Sequence, residues 1–314
     1  MASITVVGSL NMDLVIRAPR RAFQGETLIG GTFGMTGGGK GSNQALAAAR
    51  LGAASFMIGS AGDDDFGLRL KNVLEDSGVD CANITFHDDI STGVAVITLT
   101  EDGDSSIILS QGANSRLDFV AVEKCEEIFK SSDAALFQME IPPETVAAGL
   151  RLAKQCGCKT FLSAEPPFSL PSDAWNCIDY MILNEKALNF YISGHRNESP
   201  SREKINEMAD LIKTRGVHNV VVTQSAEGGL VFAHNRKPFR FEPFAVRVVD
   251  TTGARDAFCA GLCVALSEGM KFEDAARFAS AAGALACTKI GAHPSLPWRQ
   301  DVENLLKEVD NEDF

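Results

Sequence analysis

The sequence predicts an α/β fold: a mostly parallel sheet with helices on both faces, plus a small second β-sheet acting as a lid. Three observations carry this expectation. Short apolar runs of the kind found in buried strands alternate with helical stretches, which is the pattern of βαβ units. Two segments, about 13–36 and 92–110, break that rhythm with β-type alternation and no convincing helix. Finally, 314 residues that are 45% hydrophobic and 22% charged can bury a large core and are too apolar for a disordered chain. The whole of 1–314 is read as one domain, with no internal repeat or linker.

Ile4-Thr5-Val6-Val7-Gly8 reads as the first buried strand. Ser42 to Leu51 is alanine-rich, with Gly52 as its stop. A strand at Ser55–Gly59 precedes a helix over Phe66–Ser77, which Gly78 ends. Val94–Leu99, an acidic Glu101-Asp102-Gly103 turn and Ser106–Leu109 form a hairpin signature. Ala134–Phe137 is a strand, and Pro143 opens a helix that runs to Cys156. Thr160–Leu162, Tyr180–Leu183 and Val220–Val222 are further buried runs. Helices follow at about 202–214, 256–267 and 272–288, and an acidic amphipathic tail after Trp298 reads as a surface helix. A small sheet over the C-terminal ends of the core strands would cover the place where α/β folds bind ligands.

Charge and composition exclude several classes. The net charge of −12 and the absence of a basic run longer than Arg20-Arg21 argue against a nucleic-acid partner. No apolar stretch is long enough for a membrane span, and the first residues lack a basic region followed by an apolar one. Eight cysteines without zinc-type spacing read as reduced thiols. The expected compartment is the cytoplasm. Five scattered histidines offer no metal cluster or triad, Asp63-Asp64-Asp65 reads as a solvated helix start, and Glu165 has no assigned place.

Three segments point to chemistry. In Val248–Phe258 a strand gives way to a glycine turn and then a helix. A helix start is a ready anion site. Asp256 there is either a helix cap or a general base that takes a proton from an alcohol while amides hold a phosphoryl group. Gly37-Gly38-Gly39-Lys40-Gly41-Ser42-Asn43 opens the alanine-rich helix without Walker spacing. Its glycines permit close backbone approach to a ligand, and Lys40 and Asn43 add donors. Gly8-Ser9-Leu10-Asn11-Met12-Asp13 ends a strand in polar groups suited to sugar hydroxyls.

With Ser91-Thr92-Gly93-Val94-Ala95, Gly112-Ala113-Asn114, Gln138-Met139-Glu140 and Gly291-Ala292-His293-Pro294-Ser295-Leu296-Pro297, these segments resemble the ribokinase branch of the PfkB sugar-kinase family over nearly the whole chain. The resemblance implies a doubly wound core of about nine strands with a β lid, and a homodimer paired through the lids. It implies an ATP-dependent kinase acting on O5 of D-ribose or a close pentose, with Asp256 as the base. Asn11, Asp13, Gly38, Gly39, Lys40, Asn43 and Glu140 would hold the sugar. Asn184, Thr223, Gln224, Ser225, Ala226, Glu227, Gly228, Gly253, Ala254, Arg255 and Ser280 would face ATP and Mg²⁺. Asp250, Thr252, Ala286, Lys289, Gly291 and Ser295 would bind a monovalent cation such as K⁺, mostly through main-chain oxygens.

Four departures fall on the nucleotide side. Arg255 stands where the family's Gly-Ala-Gly-Asp turn has its second glycine. Ala187 replaces the glutamate of Asn-x-x-Glu. Ser225 replaces a glycine of Thr-x-Gly-x-x-Gly, where Glu227 also brings a negative charge towards the expected triphosphate. Ser163-Ala164-Glu165-Pro166-Pro167 replaces Asn-Pro-Ala-Pro. Removing a donor from such a site typically costs ~10²–10³ in rate. The alternative reading is therefore a sugar-binding relative with weak or no catalysis.

Overall fold

A computed structural model describes residues 1–100, 105–195 and 198–312. In chain order its strands are β1 (Ser3–Val7), β2 (Asn11–Ala18), β3 (Phe33–Gly38), β4 (Ala54–Gly62), β5 (Val79–His87), β6 (Gly93–Thr100), β7 (Ser105–Ser110), β8 (Ala134–Gln138), β9 (Lys159–Ser163), β10 (Tyr180–Asn184), β11 (Asn219–Thr223), β12 (Gly229–Phe232) and β13 (Phe239–Phe241). The helices are α1 (Lys40–Arg50), α2 (Asp65–Asp76), α3 (Phe119–Glu123), α4 (Glu126–Lys130), α5 (Pro143–Gln155), α6 (Glu185–Ser193), α7 (Arg202–Thr214), α8 (Ala254–Ser267), α9 (Phe272–Ala286), α10 (Ala292–Ser295) and α11 (Arg299–Glu312).

Nine strands form one sheet in the order β13-β12-β11-β10-β9-β8-β1-β4-β5. All neighbours are parallel except β11–β12 and β12–β13. Alternate residues of each strand feed two separate cores, as a period of two requires. Val6, Leu136, Phe161, Ile182 and Val221 join α1, α8 and α9 on one face. Val7, Phe137, Leu162, Leu183 and Val222 join α5, α6 and α7 on the other. The chain winds outward from β1 through β4 to β5, then returns to the opposite side of β1 with β8. The β1/β8 boundary is thus the switch point, where open α/β sheets leave a ligand crevice beyond the strand ends.

The second sheet has the order β3-β2-β6-β7. Its central pair β2–β6 is parallel, and both flanking pairs are antiparallel. It matches the expected lid with slightly wider bounds, because β2 begins at Asn11 and β3 runs to Gly38. The β6–β7 hairpin forms as expected, but the turn residues Glu101-Asp102-Gly103 lie outside the described residues.

Several boundaries differ from the sequence expectation. Helix α1 starts at Lys40 rather than Ser42, and α8 at Ala254 rather than Asp256. Both follow a glycine with positive φ, Gly39 at 89° and Gly253 at 82°, so neither start carries the side-chain cap that sequence reasoning looks for. Helix α9 ends at Ala286, two residues early. Strand β5, the edge pair β12–β13 and helices α3, α4 and α6 were not anticipated; all but β5 are short, and β5 carries Asp80 and Asn83 within an edge strand. Asp64 is more than part of a solvated helix start. It caps α2 through Gly67 N and also accepts from Thr92 N and Oγ1, at 2.8 and 2.6 Å, tying the helix to the foot of the lid.

Candidate active site

Where β1 ends, the backbone of Ser9 meets the start of α1: Ser42 N donates to Ser9 O at 2.9 Å. Ser9 Oγ donates to Glu140 Oε2 at 2.7 Å, and Lys40 N donates to the same oxygen at 3.1 Å. Lys40 Nζ stands 3.8 Å from Glu140 Oε1. Glu140 follows β8, so the switch point is closed by one carboxylate shared between the two strand ends and the α1 N-terminus.

Asp256 lies in the first turn of α8, which packs against α1. Its Oδ2 accepts from Asn43 Nδ2 and its Oδ1 from Gln44 Nε2, both at 2.8 Å. Gln138 Nε2 donates in turn to Gln44 Oε1 at 2.7 Å. This chain of amides has one direction, so the atoms facing Asp256 are donors and the carboxylate is oriented as an acceptor. Asn43 Oδ1 is buried with no partner, an acceptor left over for a ligand hydroxyl.

Asp13, on lid strand β2, is 6% exposed. A Cβ on Gly38 would sit 2.2 Å from Asp13 Oδ2, so only glycine lets the β3 backbone lie this close to the carboxyl. Burial raises the Asp13 pKa to about 7, with Glu140 and Asp256 adding to the rise and Lys40 opposing it. Burial also raises Asp256, against the opposing pull of Lys40, Gln44 and Asn43. Burial would lower Lys40, but Glu140 and Asp256 outweigh it and the ammonium is held above its ordinary value. Asn11 presents Oδ1 to Asn114 Nδ2 at 2.8 Å, which fixes its amide. The predicted sugar residues Asn11, Asp13, Gly38, Gly39, Lys40, Asn43 and Glu140 thus converge with Asp256 on one buried polar cluster. Sequence reasoning missed Gln44, Gln138 and Ser9 as its supports, and His293, whose Nε2 lies 3.0 Å from Ser42 Oγ.

The predicted nucleotide residues lie along the C-terminal ends of β10 and β11 and the head of α8. Asn184 Oδ1 accepts from Ala187 N at 2.7 Å and so caps α6. Ala187 itself is buried in the core. Gln224 Nε2 donates to Glu185 Oε1 at 2.9 Å, a carboxylate the sequence did not single out. The turn Thr223–Gly228 closes through Gln224 N to Gly228 O at 2.8 Å and leaves Ser225 and Ala226 exposed. Ser225 keeps the glycine-favouring φ of 51°. Glu227 does not leave an uncompensated charge, as its carboxylate is paired with Arg202. Ser280 Oγ is taken by Glu242 O at 2.9 Å, beside this turn but not in it. Gly253, Ala254 and Arg255 form the head of α8, where Ala254 N donates to Thr251 O. Arg255 pairs with Glu165, an unforeseen contact.

Four of the six predicted cation residues are clasped together. Asp250 Oδ1 accepts from Thr252 N and Oγ1, and Asp250 Oδ2 accepts from Gly291 N at 2.8 Å. Ser295 Oγ donates to Ala292 O at 2.8 Å and lies 3.3 Å from Thr252 O. Buried Ala286 and exposed Lys289 flank this clasp in the adjoining segment. Among the described residues no group of three His, Cys, Asp or Glu could hold a metal ion.

The sequence pattern of the pfkB family carbohydrate kinases matches residues 1–299. The chain belongs to the pfkB family of carbohydrate kinases. Within that family it is 35% identical to the ribokinase of Haemophilus influenzae, over 97% of this chain and 98% of that one. It is 34% identical to the ribokinase of Bacillus subtilis, over 98% and 100%. The Arabidopsis thaliana ribokinase complexed with ribose and ATP superposes with a TM-score of 0.90 at 32% identity, covering 98% of this chain and 99% of that one. As a pfkB kinase the chain is an enzyme of the sugar-kinase class, and the second sheet takes the place of the family's lid. No helix of the described residues is long and apolar enough to cross a membrane.

Proposed function

We propose that this pfkB kinase transfers the γ-phosphoryl group of Mg-ATP to O5 of D-ribose or a close pentose. The observation that carries the reading is the Asp256 carboxylate, held by Asn43 and Gln44 in the same buried cluster as Asp13, Lys40 and Glu140. The full-length likeness to ribokinases supports the choice of sugar. Asp13, Asn43 Oδ1 and the amides beside Gly38 and Gly39 receive the sugar hydroxyls, with Lys40 and Glu140 closing the pocket and Asn11 bracing the lid. Asp256 takes the proton of the 5-hydroxyl as its oxygen bonds to the γ-phosphorus and the bridge to the β-phosphate breaks, releasing ADP. The head of α8, from Gly253 to Asp256, offers amides to the developing charge. The nucleotide lies along Asn184, Thr223–Gly228 and Ser280.

The clasp of Asp250, Thr252, Gly291 and Ser295, with carbonyls near Ala286 and Lys289, suits a monovalent cation. Asp250 is fully engaged by loop amides and hydroxyl, so such an ion would brace the turn that leads into α8. Exposed Phe33, Met35, Val96, Ile107 and Ile108 on the lid support pairing of two copies through their lids. Eight free cysteines suit a cytoplasmic protein. The non-catalytic alternative is less supported, because the three charged departures, Arg255, Glu165 and Glu227, each carry a partner of opposite sign. The test is ADP release with ribose and Mg-ATP, with and without K⁺. Ribose-dependent turnover is expected; its absence from protein with a cooperative melt overturns the reading.

A further inference from the structure

Two departures from the family pattern, ninety positions apart, meet in space. Arg255 is the second residue of α8, next to Asp256, and Glu165 follows strand β9. Glu165 is 9% exposed. Its Oε2 pairs with Arg255 Nη1, and its Oε1 accepts from Asn184 N at 3.4 Å. One carboxylate therefore joins the ends of β9 and β10 to the head of the helix that carries Asp256. The arginine in place of glycine and Glu165 are thus in direct contact, each with a partner of opposite charge.

A structural brace is a poor account of this pair. Glu165 is nearly buried and Arg255 is 30% exposed, so desolvating the carboxylate and screening the guanidinium offset most of their attraction and leave the fold little stabilised. A guanidinium carries five N–H donors in a planar fork. Arg255 pairs with Glu165 through Nη1 and still keeps part of its side-chain surface exposed, so the pair does not enclose the fork. That partly exposed fork stands in the first turn of α8, one residue before the proposed base Asp256. Phosphate oxygens match that fork better than a single carboxylate oxygen does. With the site empty, Glu165 balances the guanidinium charge beside the Lys40 and Asp256 cluster. With a triphosphate in place, the donors that Glu165 does not engage meet the larger negative charge while Glu165 holds the guanidinium in position.

Building on the kinase reading above, we propose that Arg255 binds the γ-phosphoryl group and that Glu165 positions its guanidinium for that contact. Arg255 then supplies from a side chain the charge that a glycine at this position leaves to backbone amides. Glu165 acts only through Arg255.

The test is calorimetry of wild type, Arg255→Gln, Glu165→Gln and the double variant with a non-hydrolysable Mg-ATP analogue and, separately, with Mg-ADP. Thermal melts check that each variant folds. Arg255→Gln is expected to weaken the triphosphate analogue about 10- to 100-fold, the range for a charge-assisted bond, and to leave ADP little changed. Glu165→Gln should lose less, with the same preference for harming the triphosphate, and the double variant should be no worse than Arg255→Gln. In turnover assays the loss should fall on kcat, with the ribose KM unmoved. Equal losses for both nucleotides, tighter triphosphate binding in Arg255→Gln, or strictly additive losses would each overturn the proposal. Should Arg255→Gln not fold, Arg255→Lys, which keeps the charge without the fork, reads the same contrast. A wild type without ribose turnover defeats the kinase reading alone, since the contrast between triphosphate and diphosphate is still measured.

Discussion

The sugar side and the nucleotide side of this site are built by different means. On the sugar side, backbones approach so closely that side chains have little freedom: Gly38 lies against Asp13, and Ser9, Lys40 and Glu140 share one carboxylate. The Asp256 carboxylate there is fixed through Gln138 and Gln44, and Asn43 Oδ1 is left without a partner. On the nucleotide side the contacts are between long, partly exposed side chains, Arg255 with Glu165 and Arg202 with Glu227. An interlocked network tolerates no single change, whereas a looser surface accepts a charge if its opposite arrives with it. The charged departures on the nucleotide side are each paired, whereas Ala187 is simply buried and Ser225 simply exposed.

The largest expected effect breaks the locked side. Asp256→Asn removes the proton acceptor, and a general base is worth about 10²–10⁴ in rate. It also turns an amide N–H₂ towards either Asn43 Nδ2 or Gln44 Nε2. Gln44 cannot flip to accept it without losing Gln138, whose Nε2 donates to its Oε1. We expect kcat to fall about 10³-fold while the protein stays folded. Steady-state kinetics with a thermal melt checks this, and near-normal kcat would show that another group takes the proton.

A second prediction sharpens the comparison through pH, because the sugar side concentrates three carboxyls. Burial, then Glu140 and Asp256, raises Asp13 to about 7 in the ligand-free protein. A carboxyl raised above its unfolded value contributes stability that is fully present below the unfolded pKa and is lost as pH rises through the folded one. The free protein should thus lose stability as pH rises from about 4 through about 7. Sugar hydroxyls that donate to Asp13 favour its charged form, so sugar affinity should rise over the upper part of that range. The slope should be at most about tenfold per pH unit below the midpoint. Calorimetric titration of ribose across this range tests it, with Asp13→Asn expected to flatten the profile; affinity that falls with rising pH would contradict the assignment.

Legibility followed the same division. The alternation of buried runs revealed the parallel sheet, and the two β excursions revealed the lid, because both patterns are periodic over several residues. Asp13, Asn43, Glu140 and Asp256 were legible as motif residues. Gln44 and Gln138 were not, since their part is to orient Asp256 through hydrogen bonds between side chains 94 residues apart, which leave no local pattern. The sequence gives Glu165 no assigned place and shows Glu227 only as a negative charge near the expected triphosphate. Both judgements needed a partner from elsewhere, Arg255 on α8 and Arg202 on α7, and pairing between distant elements is fixed by the fold rather than by spacing. The starts of α1 and α8 were misplaced by two residues because glycine, not a capping side chain, precedes each.

The smallest expected effect probes the loose side. Ser225 holds φ at 51°, a conformation that costs an L-residue roughly 1–2 kcal/mol through the clash of Cβ with the backbone. Glycine removes that clash but gives the unfolded chain more freedom, an opposing term of about 0.4–1 kcal/mol. Ser225→Gly should therefore stabilise the protein by only about 0.8 kcal/mol, the difference between the two. Denaturant titration reads this as a higher midpoint with an unchanged slope. Ser225 is exposed in a turn already closed by Gln224 and Gly228, so nucleotide KM should move little. If the variant instead loses stability or nucleotide affinity sharply, the Ser225 hydroxyl is engaged, and the nucleotide side is as tightly interlocked as the sugar side.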